Sequence, residues 1–151
     1  MGAKKKNELD VPVYLFHQGS NARSYEFLGA HITKVGRVSG VVFRVWAPNA
    51  AAVAVCGGWN DWNACADPME KVSDGGVWER FVPNVGVGEL YKFAVTTRKG
   101  SVLLKADPYA FHNETRPATA SIVYSPEYTW NDGAWMAARR ETDMRARPLN
   151  I

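Results

Sequence analysis

The sequence predicts an all-β fold: an immunoglobulin-like antiparallel β-sandwich with a short N-terminal lead and a C-terminal helix. Three observations carry this. The stretches 41–46, 53–56, 77–82, 90–97, 101–104 and 121–124 are rich in Val, Phe, Tyr and Trp, the side chains that suit a pleated, half-buried surface. Gly, Pro, Asn and Asp punctuate the gaps between them. No helical pattern interrupts the series, and 151 residues with 46% hydrophobic content suffice for one packed domain.

Residues 1–10, MGAKKKNELD, read as a polar lead. Residues 11–40 read as an N-terminal segment packing on the sandwich. They hold an apolar run, a Gly-Ser-Asn turn and a stretch long enough for one or two helical turns. The sandwich spans 41–126. In "VFRVW", Val42, Arg44 and Trp46 alternate with Phe43 and Val45, and in "WERFV", Trp78, Arg80 and Val82 alternate with Glu79 and Phe81. Successive side chains on a strand point to opposite faces, so both faces of these strands carry bulky groups. "TTRKGSV" reads as a hairpin turn, with Gly100 supplying positive φ. Residues 127–151 read as a helix and linker. Asn131 or Asp132 caps a helix over 133–146, which Pro148 stops, and its apolar face is thin, mainly Trp135 and Met144.

Charge and composition narrow the function. The net charge is +3, but the basic residues gather at the ends, in Lys4–Lys6 and in Arg139, Arg140, Arg145 and Arg147. From Asp10 to Asp132 there are 11 basic and 12 acidic residues, a difference of −1. Nucleic-acid binders concentrate basic residues on a folded face, so no nucleic-acid partner is expected. No apolar run of transmembrane length and no signal-type leader is present, so the expectation is a cytoplasmic protein without membrane contact. Cys56 and Cys65 then read as free thiols.

No catalytic constellation is legible. His17, His31 and His112 are scattered and the two cysteines have no second pair, so neither a metal nor another cofactor is expected. "CGGW" lacks the Lys-Ser/Thr of a phosphate loop. Asp61, Glu79, Asp107 and Glu114 have no spacing that pairs them as acid and base.

The unusual stretch is "VCGGWNDWNACADP", where Trp59 and Trp62 sit in turn-forming company. Such indoles either plug a core or shield the C–H face of a sugar while amides and charges take its hydroxyl rim. A division of labour is expected. Trp59, directly after the strand and Gly-Gly, is the buried structural one; Trp62, beyond Asn60 and Asp61, is the exposed one.

Four segments carry a resemblance: "YEFLGAH" (25–31), "FRVWAPNAAAVAVCGGWNDW" (43–62), "GELYKFAV" (88–95) and "KADPYAFHNETRPATASIV" (105–123). In this order and spacing the chain resembles the amino-terminal part of bacterial 1,4-α-glucan (glycogen) branching enzymes. "LGAH" favours these over debranching relatives, and the final "RPLNI" looks like the approach to a barrel strand. The resemblance implies a glycogen- and starch-binding module. Its partners would be α-1,4-glucan chains and a C-terminal catalytic barrel that holds the catalytic carboxylates. The related glycogen-binding domain of the AMP-activated kinase β subunit holds glucan with two tryptophans, a lysine and an asparagine. Its first tryptophan matches Trp62 and its lysine matches Lys92 in "LYKF". Its second tryptophan falls on the hairpin "TTRKGSVLLK", which has none, and its asparagine has no clear counterpart near "RPATAS". The expected carbohydrate contacts are therefore Trp62, Lys92 and Asn60, with no catalytic residue. A structural spacer without glucan affinity, and a glycogen-targeting domain acting in trans, remain alternatives.

Overall fold

A computed structural model describes residues 3–143, with side chains from Leu9 onward. Its elements are α1 (Ala3–His17), β1 (Gly29–Val35), β2 (Val38–Trp46), β3 (Ala52–Gly57), β4 (Asp67–Pro68), β5 (Glu70–Lys71), β6 (Val77–Pro83), β7 (Leu90–Thr96), β8 (Val102–Lys105), β9 (His112–Asn113), β10 (Ser121–Ile122) and α2 (Gly133–Glu141). One sheet runs β1-β2-β6-β5; the other runs β4-β3-β7-β10-β9, with β8 also paired to β7. All pairings are antiparallel. The predicted sandwich is what the chain forms.

The core lies between the sheets. Val41, Phe43 and Val45 of β2 meet Val53 and Val55 of β3 and Tyr91 and Phe93 of β7, closed by Trp78, Val82 and Val123. Phe43 is fully buried, with its ring centroid 4.9 Å from that of Tyr91. Removing such a side chain from water contributes roughly 1.5–3 kcal/mol.

The opposite face of β2 and β6 explains why both faces looked bulky. Phe27, Leu28 and Val77 form a second cluster there, covered by Leu9, Val13 and Phe16 of α1. The spacing i, i+4, i+7 is one helical stripe. Phe16 meets Trp46 edge-on at 5.5 Å, and Arg44 and Glu79, cross-strand partners, are ion-paired at 2.5 Å. The division into a polar lead to residue 10 and a segment from 11 is thus corrected, because one helix crosses that boundary. Pro12 sits inside it and cannot donate to the carbonyl four residues back, which hides the stripe from a reading of the sequence.

β1 is also new relative to the sequence reading. Residues 29–35 pair along their full length with β2, from Gly29↔Arg44 to Val35↔Val38. The two-residue turn between the strands begins at Gly36, with φ of 63°, as a tight hairpin requires.

α2 spans Gly133–Glu141, shorter than the expected 133–146; residues from 144 lie outside the described ones. Asp132 occupies the N-cap position but makes no side-chain cap hydrogen bond, which corrects the expected cap. None of its residues is buried, and Trp135 is 60% exposed with Arg139 over its ring. A nine-residue helix without a packed face is marginal in water. Amide hydrogen exchange in α2 is therefore expected to run far faster than in β2. Equal protection in both would show that α2 has a docking site of its own.

Candidate functional site

β3 ends with Cys56 opposite Lys92 and Gly57 opposite Tyr91 of β7. A 3₁₀ turn, Gly58–Asn60, follows, and then Asp61 and Trp62 with φ of 52° and 58°. Left-handed backbone is an outlier for bulky residues, and each instance costs on the order of 1–3 kcal/mol unless its surroundings impose it. Hydrogen bonds impose it here. The Trp62 N–H donates to the Gly57 carbonyl and the Asn63 N–H to the Asn60 carbonyl, both at 3.0 Å. The Asn60 amide oxygen accepts from the Gly57 N–H at 3.0 Å. Its nitrogen donates to the Val55 carbonyl at 3.2 Å and to Asp67 Oδ2 at 2.9 Å.

The two tryptophans divide as expected, with one adjustment. Trp59 turns inward, stacks on Phe43 at 5.5 Å and 23°, and donates Nε1–H to Asp67 Oδ2 at 3.0 Å. It is only partly buried, because it caps the mouth of the sandwich and does not lie at its centre. Gly57 makes room for it: a Cβ there would lie 2.3 Å from the Trp59 ring and 2.3 Å from the Leu90 carbonyl. Trp62 is 38% exposed.

Lys92 projects from β7 on the face opposite the core. Its Nζ donates to Thr119 Oγ1 at 2.8 Å. Ala54, Cys56 and Ala94 form the floor of this face, and Ala64 from the tryptophan loop packs onto them. Burial pushes the Cys56 thiol above its ordinary value, with Lys92 pulling weakly the other way. Cys56 and Cys65 are both free. On the same face, Leu104 lies opposite Ala94 and Val102 opposite Thr96, and both are about half exposed. The hairpin without a tryptophan thus presents an aliphatic edge.

Lys92 lies opposite Cys56 in the β3–β7 register, and the Trp62 N–H bonds the carbonyl of the next residue, Gly57. Asn60 belongs to the same loop, but its amide is engaged within it. The four carboxylates considered for chemistry are not brought together. Asp61 is exposed in the loop and Glu79 pairs with Arg44. Asp107 is buried against Tyr91, and Glu114 accepts from the Ala120 N–H. Among the described residues, no group of three His, Cys, Asp or Glu is placed to hold a metal, and no helix is long and apolar enough to cross a membrane.

Comparison with known proteins accords with this geometry. The chain is 47% identical over 146 residues to the 1,4-alpha-glucan branching enzyme of Corynebacterium glutamicum, covering 94% of this chain and 20% of that one. It is 48% identical over 146 residues to that of Bacillus caldolyticus, covering 96% and 22%. It thus spans about a fifth of the length of these relatives. Among solved structures, PulA of Klebsiella pneumoniae in its maltotriose complex superposes with a TM-score of 0.52 at 33% identity, over 65% of this chain and 11% of that one. The family model for carbohydrate-binding module 48, the isoamylase N-terminal domain, matches residues 27–110, from the edge of β1 through β8 and the turn that follows it. The chain belongs to the carbohydrate-binding module 48 family.

Proposed function

We propose that the chain binds α-1,4-glucan and positions a catalytic domain of the branching-enzyme kind, in glycogen synthesis in the cytoplasm. In this reading the Trp62 indole is the sugar platform, Lys92 lies at the hydroxyl rim and Asn60 contributes through the loop it holds. The observation that carries it is Trp62 itself, a large apolar ring kept 38% exposed on left-handed backbone that hydrogen bonds hold in place. Outlier backbone of this kind collects at ligand sites. The Leu104 and Val102 side chains would extend the platform where the kinase domain has its second indole.

A stacked ring is worth on the order of 1–3 kcal/mol, and association has its own entropic cost. The affinity for a maltooligosaccharide should therefore be about millimolar. Glycogen cast into a native gel should retard the wild-type chain and leave Trp62→Ala at its sugar-free mobility. Equal retardation of both would remove Trp62 from the site.

The 151 residues would make and break no glycosidic bond, since the candidate carboxylates stand apart. Purified chain should leave the iodine stain of amylose unchanged; a fall in absorbance that survives repurification would overturn this. The spacer reading draws on a different observation: Tyr128, Trp130 and Trp135 are 68%, 75% and 60% exposed. That surface suits contact with a further domain. Retention of fold with no retardation of either chain would favour the spacer.

A further inference from the structure

We infer that Asp67 is the positioning residue of the glucan platform, holding Trp62 in its presenting geometry without touching sugar itself. This rests on the reading of Trp62 as the platform. Asp67 is the first residue of β4, and its carboxylate receives three donors, two from the Gly58–Asn60 turn and one from β6. Trp59 Nε1 and Asn60 Nδ2 donate to Oδ2 at 3.0 and 2.9 Å, and Arg80 donates to Oδ1 at 3.3 Å.

Each donor ties the loop to something rigid. Trp59 is stacked on Phe43 in the core. Asn60 holds the Gly57 N–H and the Val55 carbonyl, which belong to the last residues of β3 before the loop. Arg80 lies on β6 in the other sheet, opposite Phe43 of β2. Asp67 therefore ties the Trp59–Asn60 turn that precedes Trp62 to the other sheet.

Trp62 needs such support from elsewhere. It and Asp61 both adopt left-handed backbone, and its half-open ring gains too little burial to hold that conformation alone. The loop residues 61–66 contain no glycine to make the turn without strain. The Arg80 contact is the weaker arm. It is long and partly exposed, and Arg80 Nε is buried without an acceptor among the described residues. Such ion pairs contribute little, so the neutral donors of Trp59 and Asn60 dominate. An oxygen acceptor at this position, charged or not, is what the loop requires.

The test uses the 151-residue chain with two readings: maltoheptaose affinity, and picosecond–nanosecond order at the Asp61 and Trp62 amides by heteronuclear NOE without sugar. Asp67→Ala should lower the order of both amides and weaken binding by about tenfold. Asp67→Asn keeps a carbonyl oxygen for Trp59 and Asn60 and should restore both readings to within about twofold of wild type. If Asp67→Ala does not fold, Asp67→Ser, too short to reach those donors, is expected to give the same two losses. Wild-type order and affinity in a folded Ala or Ser variant would overturn the inference. So would an Asn variant as weak as Ala, since the charge would then act through Arg80. Trp62→Ala separates the layers: if it binds as wild type, the platform reading fails, whatever Asp67 does.

Discussion

Trp59→Ala is expected to destabilise the chain by about 3 kcal/mol, the lower end for buried aromatic truncations. Trp59 is only partly buried, which sets the lower end, but its removal acts in two places. Phe43, fully buried, loses the ring stacked on it at 5.5 Å. Asp67 loses the Nε1–H donor at 3.0 Å. The space left at the mouth of the sandwich opens to water, so part of the cost of a closed cavity is avoided. Urea unfolding followed by far-ultraviolet circular dichroism measures this. A loss below about 1 kcal/mol would mean that Trp59 is a surface residue in solution, in the range of ordinary exposed substitutions.

Asp107→Ala is expected to cost about 3 kcal/mol at a pH of about 4 or below, where the carboxyl is neutral in both states, because it strands two donors. The Tyr91 hydroxyl, on a side chain with no exposure, donates to Asp107 Oδ2 at 2.6 Å, and the Tyr109 N–H donates to Oδ1 at 2.8 Å. The Asp107 N–H in turn donates to Ser121 Oγ, which donates to Asn113. The Asp107 carboxyl thus ties down β7 and the Tyr109 turn, while its main-chain N–H, which alanine keeps, reaches β10 and β9. Burial pushes its pKa above the ordinary carboxylate value, against the smaller pull of the Tyr91 hydroxyl, the Tyr109 N–H and His31. Burial, and then the Asp107 charge, hold the Tyr91 hydroxyl far above its usual value, so it stays a donor.

The sign of the pH dependence follows from the raised carboxyl. The fold disfavours the ionised form. Asp107 therefore withdraws stability as pH rises from the ordinary carboxylate value through its raised folded value. Below the ordinary value the group is neutral in both states and the penalty is absent. Alanine has no such dependence, so the gap between wild type and Asp107→Ala should narrow as pH rises from about 4, the ordinary carboxylate value, through the raised folded value. A gap that widens over this range would mean that the ionised form is the one the fold prefers.

The fold was legible where residue type and spacing act locally. β2, β3, β6 and β7 announce themselves by β-branched and aromatic runs between turn residues. β4, β5 and β9 are two residues each, too short for any period to register, and of the expected strand 121–124 only Ser121–Ile122 pairs. β1 was obscured because Gly29, His31 and Thr33 alternate with only Ala30 and Ile32. α1 was obscured by Pro12 in the middle of its stripe.

In the site, the inward and outward roles of Trp59 and Trp62 could be read from their distances to the strand end. The engagement of Asn60 and the central place of Asp67 could not. Those contacts arise only when β3, β4 and β6 are brought together, and Asp67 and Arg80 are thirteen residues apart on different sheets. Leu104 was visible as a residue, but not as part of the Lys92 face until the β7–β8 register fixed it.

Glucan binding by this module turns on which indole meets the sugar. A chemical-shift titration of the chain with maltoheptaose, following both indole N–H signals, decides this most directly. The Trp62 signal is expected to move and saturate at about millimolar sugar or above, while the Trp59 signal, held by Asp67, stays in place. Movement of Trp59 with Trp62 fixed would invert the assignment. No movement of either at saturating sugar would contradict glucan binding by this module.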